Sequence, residues 1–236
     1  MIQETQYGVF RGRKLVQASG EIGGARAVFV KIKGIKNELV YPTFGGKVMN
    51  PPKGNGFKFF AGDLFEYRTN EKGVAPEVYL LKTYLVHSAS GNVVNIVRDG
   101  YKHKPFVGDV VGVAPAEIGG TMTEATISKV EATVVDGVNV WACTTSAALN
   151  ADADDVLVEG DGAGKMLVKA INGVADCDGD MLDAGAVGEE DFEGARYHYT
   201  PALGGIMYAH KMSPMPACVL KLNRCNINGW FQIQSV

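Results

Sequence analysis

The stretch ATISKVEATVVDGVNVWACTT, residues 125–145, carries the strongest hairpin signal in the chain. Asp136-Gly137 separates the runs 125–135 and 138–145, and both runs are rich in β-branched residues. Asp-Gly supplies the positive φ angles that a two-residue type I′ turn requires, so this stretch predicts a β-hairpin. The apolar side chains expected to face each other across it are Ile127, Val130, Ala132 and Val134 on one strand and Val138, Val140 and Ala142 on the other.

Similar turn signals recur along the chain and predict an antiparallel hairpin meander. They are Asp99-Gly100, the run 160–164, Asn172-Gly173 and Asn228-Gly229, each between short apolar runs. Helical periodicity is scarce, and only 145–155, with Ser146 as a cap, is a candidate for a short helix. We therefore expect an all-β fold with little helix.

Composition divides the chain into three parts. Residues 1–60 are basic and glycine-rich and are interpreted as an N-terminal arm or subdomain. Residues 61–115 contain apolar runs at 78–86, 92–97 and 107–113, which we expect to curl into a small β-barrel. Residues 116–236 are predicted to form an acidic antiparallel β domain that ends in an apolar segment.

The net charge of -3 conceals two oppositely charged halves. Residues 1–110 hold 16 basic and 9 acidic side chains, whereas residues 111–236 hold 7 basic and 17 acidic ones. Such a division suggests a basic end that meets an acidic partner, although chance placement of surface charges explains it equally well. The candidate partner-binding residues are Arg11, Arg13, Lys14, Arg26, Lys31 and Lys33.

The sequence favours neither a membrane protein nor a secreted one. No apolar run approaches the roughly 20 residues of a membrane-spanning helix. The first residues lack the features of a secretory signal, so synthesis in a cytoplasm is expected. The four cysteines are too few and too scattered for a disulfide framework or a zinc site, and are interpreted as buried thiols.

A weak calcium candidate is the acidic run Asp176, Asp178 and Asp180. Carboxylates at alternate positions are typical of loops that bind hard cations. An EF-hand loop, however, needs glycine at its sixth position and a bidentate glutamate at its twelfth, where this chain has Met181 and Val187. A solvated acidic turn is the favoured interpretation, and no cofactor is expected.

No motif indicates catalysis. The run Gly160–Lys165 ends in Gly-Lys, but Glu159 and Met166 replace the first glycine and the hydroxyl residue of a phosphate-binding loop, so a hairpin loop is expected. Neither G-x-S-x-G nor H-E-x-x-H occurs. We therefore predict that the chain is not an enzyme.

Two surface-binding alternatives remain open. The basic stretch 98–104 could follow a nucleic-acid backbone, but the acidic pI near 5.8 makes nucleic acid an unfavoured partner. Aromatic residues could instead stack on carbohydrate, as in a tail or baseplate module that recognises a receptor. The candidate platforms are Trp141, Tyr197, Tyr199, Tyr208 and Trp230.

Residues 78–115 carry a resemblance to a known class of proteins. The segment Phe106-Val107-Gly108-Asp109-Val110 resembles an F-x-V-G-D-x-I/V strand entry found in small β-barrels of auxiliary proteins on tailed-phage heads, except that no residue separates Phe106 from Val107. With its basic glycine-rich start and acidic meander, the chain is similar to head decoration or head-fibre proteins of phages that infect gut Bacteroidales, including crAss-like phages.

This resemblance implies a structural virion protein. Such a protein binds the outer surface of an icosahedral capsid, contacts the major capsid protein, and decorates or reinforces the shell or carries a fibre. It is often a homo-oligomer, for example a trimer, and many shallow hairpins expose strand edges that a symmetric neighbour can cover. The alternative is the tail or baseplate module that binds a receptor or carbohydrate.

Overall fold

The computed structural model describes residues 46–50, 58–60, 62–68, 76–98, 103–175, 179–180, 198–199, 205–208, 213–220 and 231–234. These residues are mostly β-strand, and their one α-helix, α1, is a single turn at Ala217–Leu220. The all-β, mainly antiparallel class with little helix is confirmed. No helix within these ranges has the length and apolar character needed to span a membrane.

Fifteen strands are described. The first eight are β1 (Gly46–Val48), β2 (Lys58–Phe59), β3 (Leu64–Arg68), β4 (Glu77–Leu80), β5 (Thr83–Ser90), β6 (Val93–Val97), β7 (Val110–Val113) and β8 (Glu124–Val135). The other seven are β9 (Val138–Thr145), β10 (Val156–Glu159), β11 (Gly173–Val174), β12 (Gly179–Asp180), β13 (His198–Tyr199), β14 (Gly205–Tyr208) and β15 (Phe231–Gln234).

Six antiparallel strands close into a ring in the order β9, β6, β5, β10, β7, β8, with β8 pairing back to β9. Strand β10 completes this ring by inserting between β5 and β7. The ring therefore contains strands from both sides of residue 115. The domain boundary expected at that residue runs through the ring. The strand expected at 78–86 is interrupted at Leu81-Lys82, and its two halves pair in different sheets.

The Asp136-Gly137 hairpin forms as expected. Asp136 has φ 51° and Gly137 has φ 80°, the left-handed pair of a type I′ turn. The facing residues differ from the expectation, because a two-residue loop pairs Val134 with Asn139 and Ala132 with Trp141. Even-numbered β8 residues thus share a face with odd-numbered β9 residues.

A second sheet lies beside the ring, in the order β11, β3, β4, β1, β13. Its pairs are antiparallel except for β1 with β4. One apolar cluster fills the ring, including Tyr84, Ile96 and Leu157. A second cluster includes Leu64 of the second sheet and Val158 of the ring, so it joins the two layers.

Two local predictions were wrong. Residues 146–155 form bends and turns, because Asn150 and Asp154 adopt positive φ angles of 50° and 72° that end any helix. Asn172-Gly173 makes no turn. Asn172 instead bonds both backbone groups of Tyr67 through its side chain, at 2.6 and 2.9 Å, and thereby guides Gly173 into β11.

Candidate functional site

A buried polar cluster joins three distant segments of the chain around Asp63. The His103 Nε2 atom is 2.9 Å from Oδ2 of Asp63, and the Ser213 hydroxyl donates to Oδ1 of the same carboxylate. The amide of Phe60 donates to Oδ2 at 2.7 Å. All three side chains are buried. Sequence reasoning missed this cluster, since its side chains are 40 and 150 residues apart.

The order of contacts in this Asp63 cluster differs from that of a hydrolase triad. In a triad the imidazole lies between carboxylate and hydroxyl, so that it takes the hydroxyl proton. Here the carboxylate lies between the other two groups. His103 Nδ1 accepts a hydrogen bond from the Thr83 amide at 3.1 Å, so the ring proton is on Nε2 and is donated to Asp63. The cluster cross-links segments and does not activate Ser213 as a nucleophile.

The carboxylate of Asp63 is stabilised in its charged form. Burial acts to raise its pKa, but His103, Ser213 and the Phe60 amide act in the opposite direction and outweigh burial. The pKa therefore lies below the ordinary value of 3.8. A buried carboxylate with this many donors contributes to folding wherever it is ionised.

A second carboxylate, the half-buried Glu159, ties the ring to the second sheet. It accepts hydrogen bonds from Lys82 Nζ at 3.1 Å and from Asn50 Nδ2 at 2.6 Å. Asn50 also bonds the amide and the carbonyl of Leu80, both at 2.8 Å, as a neighbouring strand would. Lys82 is buried, so removing Glu159 would leave a buried charge unpaired.

A third carboxylate, Glu66, has a similar structural role on β3. It receives two bonds from Arg68, at 2.6 and 2.8 Å, and one from the Lys169 amide at 2.7 Å. The Arg68 guanidinium also lies 3.8 Å from the ring centroid of Tyr79 and donates to the Leu167 carbonyl. These contacts fasten the segment after the glycine loop to the second sheet.

The glycine loop 160–165 binds a carboxylate of its own chain. Amides of Gly162 and Gly164 donate to the two carboxylate oxygens of Glu124, at 3.1 and 2.7 Å. Asp161 accepts two further amides of the loop. A bridge between Gly160 and Met166 closes it as the expected hairpin loop. Its amides are engaged internally, in the way a phosphate-binding loop engages phosphate.

Two of the four cysteines fall within the described residues. Cys143 and Cys218 are both buried and free, which confirms the buried-thiol interpretation for these two. Burial, with a smaller contribution from Asp109, raises the pKa of Cys143 to about 12. Its thiol therefore stays protonated and unreactive near neutral pH. Cys177 and Cys225 lie outside the described residues.

An exposed group, which we call the cationic patch, comprises Arg98, Lys104, Phe106 and Trp141. The guanidinium carbon of Arg98 is 4.8 Å from the centroid of the Trp141 ring. The Lys104 Nζ atom is 5.0 Å from that centroid and 5.1 Å from the centroid of Phe106. These distances are typical of cation–π contacts. The contacts keep both cations near the half-buried indole.

Neither cation of the cationic patch forms an ion pair with a described Asp or Glu. Both are exposed, so they can meet an anionic group from outside. The structure thus brings Arg98 and Lys104 of the basic stretch 98–104 together with the aromatic platform Trp141. No sequence pattern indicated that Phe106 would contribute to this surface.

The motif behind the phage-head resemblance forms a tight turn into β7. Gly108 has φ 89°, Val107 is exposed, and the Phe106 amide donates to Oδ2 of Asp109 at 2.9 Å. The turn is joined to β8, because the Gly108 amide donates to the carbonyl of Ile127. This geometry explains why the turn requires glycine and aspartate at these positions.

Several sequence candidates lie beyond what the structure describes. The predicted docking residues Arg11, Arg13, Lys14, Arg26, Lys31 and Lys33 are among them, as are Asp176, Asp178, Tyr197 and Trp230. Asp180, Tyr199 and Tyr208 lie in β12, β13 and β14, where only the backbone is described. In the described part of the chain, no three His, Cys, Asp or Glu side chains group to hold a metal. The docking and calcium hypotheses stay predictions.

The cationic patch is the described feature best placed to meet a ligand. The polar groups around Asp63, Glu159 and Glu66 are buried or half-buried and bond one another, whereas Arg98 and Lys104 are exposed. No protein-family model, no curated protein and no solved structure matches this chain.

Proposed function

We propose that this chain is a structural virion protein that binds the outer surface of a phage capsid. On this proposal it decorates or reinforces the shell, with the major capsid protein as its neighbour, and catalyses no reaction. The observation that carries the proposal is the cationic patch, where two exposed cations lie beside an aromatic ring and pair with no described carboxylate. Such a surface fits an acidic region of a protein neighbour.

The buried clusters support a scaffold role. Asp63, Glu159 and Glu66 each hold groups from separate segments, so these titratable side chains are committed to the fold. A rigid ring that presents one charged and aromatic surface is suited to docking. The choice of a capsid as the neighbour rests on the resemblance of residues 78–115.

A reconstitution experiment tests the proposal. Purified protein is added to capsids that lack it, and binding is measured by cosedimentation and cryo-electron microscopy. Reversing both charges, with Arg98→Glu and Lys104→Glu, is expected to weaken binding at least about tenfold, since like charges would then face the acidic neighbour. The matched control reverses two other exposed cations, Lys165→Glu and Lys169→Glu, and should bind normally. Undiminished binding of the patch variant would reject the role of the patch.

The N-terminal arm is tested separately. Removal of residues 1–45 is expected to reduce attachment if the basic residues there dock on the shell, as the charge division of the sequence suggests. Full attachment of the shortened chain would contradict this prediction and would leave the cationic patch as the docking surface.

A second candidate function is recognition of an acidic carbohydrate by a tail or baseplate module. The indole of Trp141 favours it, because sugar rings stack on aromatic faces while adjacent cations bind carboxylate groups. The probes are polygalacturonate and neutral dextran, with tryptophan fluorescence as the readout. Binding of polygalacturonate alone, lost in Trp141→Ala, together with no binding to capsids would favour this second function.

A further inference from the structure

Part of one edge of the long strand β8 is covered by no described strand. It pairs with β7 only through residues 124–126, and next to that pairing Ile127 exchanges backbone bonds with Gly108 and Asp109. The register between β8 and β9 then shifts, because the consecutive residues Thr144 and Thr145 of β9 lie opposite Lys129 and Ile127 of β8. From 129 to 135, no described strand pairs with the edge of β8 that faces away from β9. Seven residues of β8 thus have no described neighbour at this edge.

The direction of the free backbone groups follows from the hairpin. The Arg98 amide donates to the carbonyl of Asn139, so the odd-numbered residues of β9 point their backbone groups toward β6. Val138 is then bonded to Val135 next to the type I′ turn, as the two-residue loop requires. Because the direction alternates along a strand, the N–H and C=O groups of Val130, Ala132 and Val134 point to the free edge.

The side chains at this edge are apolar and exposed. Val134 is 60% exposed, which is the highest value among the large hydrophobic residues described. Ala132 is also exposed, and Val130 is half-buried. These three side chains lie on the same face of β8, because they are two residues apart. An apolar row beside backbone groups that no described strand pairs is the kind of surface that strand addition uses.

We propose that the occupant of this edge is a second copy of the same chain, which adds its own β8 antiparallel about a two-fold axis at Ala132. This register covers the whole free edge, since residue 129 then lies opposite residue 135 of the partner. It places Val130 opposite Val134 of the other copy at both ends and builds one apolar row from six side chains.

The charges on the other face agree with this register. Lys129 and Glu131 form an exposed ion pair at 2.8 Å within each copy. In the proposed dimer Glu131 lies opposite Thr133, and Lys129 lies opposite Val135, so no like charges face each other directly. An axis at Glu131 would instead oppose two glutamates. An axis at Val130 would bring the added strand against the part of β8 that already pairs with β7.

The contact is small. Seven residues of strand pairing cover less surface than the roughly 1,200 Å² of a stable specific interface, so the isolated protein should associate weakly and in a concentration-dependent manner. This edge adjoins the cationic patch, because Ala132 pairs with Trp141 of the patch on the same face. The proposal nevertheless rests on the backbone edge and the valine side chains of β8, and it does not depend on the capsid role. Reversal of the patch charges should leave self-association intact.

Sedimentation equilibrium over a wide range of concentration tests the dimer. The mass should rise from 25.2 kDa toward twice that value as concentration increases. Val134→Lys, which places two extra charges in the apolar row, should weaken association at least about tenfold. Val107→Lys is the matched control, because this valine is equally exposed, at 57%, but lies elsewhere. Circular dichroism and melting temperature verify that both variants are folded.

A second measurement examines the axis itself. In the proposed register the two copies of residue 132 are direct neighbours with Cα atoms about 5.5 Å apart, within reach of a disulfide. Ala132→Cys should therefore give a covalent dimer on mild oxidation, whereas wild type and Val107→Cys should not. A chain that stays monomeric at all concentrations, or that associates equally well with Val134→Lys and gives no cross-link at 132, would overturn the proposal.

Discussion

Removal of the Asp63 carboxylate should be among the most damaging single changes in the described part of this protein. Asp63→Ala leaves three donors without an acceptor, namely the Ser213 hydroxyl, the His103 Nε2–H and the Phe60 amide. Each buried donor without a partner costs about 1–3 kcal/mol. Partial rearrangement places the expected loss at about 3–5 kcal/mol, out of a total unfolding free energy of about 5–15 kcal/mol for a typical domain.

The assay is urea unfolding followed by circular dichroism, compared with an exposed aspartate. Asp152→Ala serves as this control, because surface changes away from special features usually stay within about 0.5 kcal/mol. Asp63→Asn should lie between the two, since an amide oxygen can still accept from His103 and Phe60 while its NH₂ group donates to Ser213. If Asp63→Ala were no more destabilising than the control, the proposed cross-linking role would be refuted.

The difference in stability between these variants should depend on pH with a defined sign. The pKa of Asp63 is lowered in the folded state, so the carboxylate adds stability above its unfolded pKa near 3.8, and that stability is lost as pH falls through the folded value. The difference in unfolding free energy between wild type and Asp63→Asn should therefore be constant near neutral pH and should narrow below about pH 4. A difference that grows in acid would contradict this account.

Three further predictions concern packing and reactivity. Gly160→Ala should cost about 1–3 kcal/mol in urea unfolding, because a Cβ there would lie 2.7 Å from the carboxyl carbon of Glu124; an unchanged midpoint would be inconsistent with this close approach. Leu157→Ala, at a fully buried position inside the ring, should cost about 2–5 kcal/mol, and a loss below 1 kcal/mol would indicate that the ring interior is loosely packed. Cys143, with a buried thiol of pKa about 12, should react with a thiol reagent only on unfolding; rapid labelling of Cys143 under native conditions, located by mass spectrometry, would contradict its burial.

Features encoded in neighbouring residues were predictable from the sequence. The Asp136-Gly137 turn and the strands around it follow from local backbone preferences and β-branched composition. The hydrogen-bonded loop around Gly162 was also expected, because its departures from a phosphate-binding motif are local. The facing residues of the hairpin were predicted wrongly, because Val134 and Ala132 were placed opposite even-numbered residues of β9. The length of the loop alone determines that they face odd-numbered ones.

Features that depend on distant pairs were not predictable. The ring requires β10 to lie between β5 and β7, and neither pairing is encoded in the turn residues nearby. The strand break at Leu81-Lys82 has no glycine or proline to signal it. Lys82 leaves the strand pattern because its ammonium group bonds Glu159, 77 residues later. A single sequence gives no means of matching such partners.

The insertion of β10 into the ring has a consequence for how the chain reaches its native state. The hairpins β5–β6 and β8–β9 involve near neighbours and can form quickly, whereas β10 must find β5 across more than 70 residues. Until it does, the facing edges of β5 and β7 are open to other chains, so refolding yield should fall steeply as protein concentration rises.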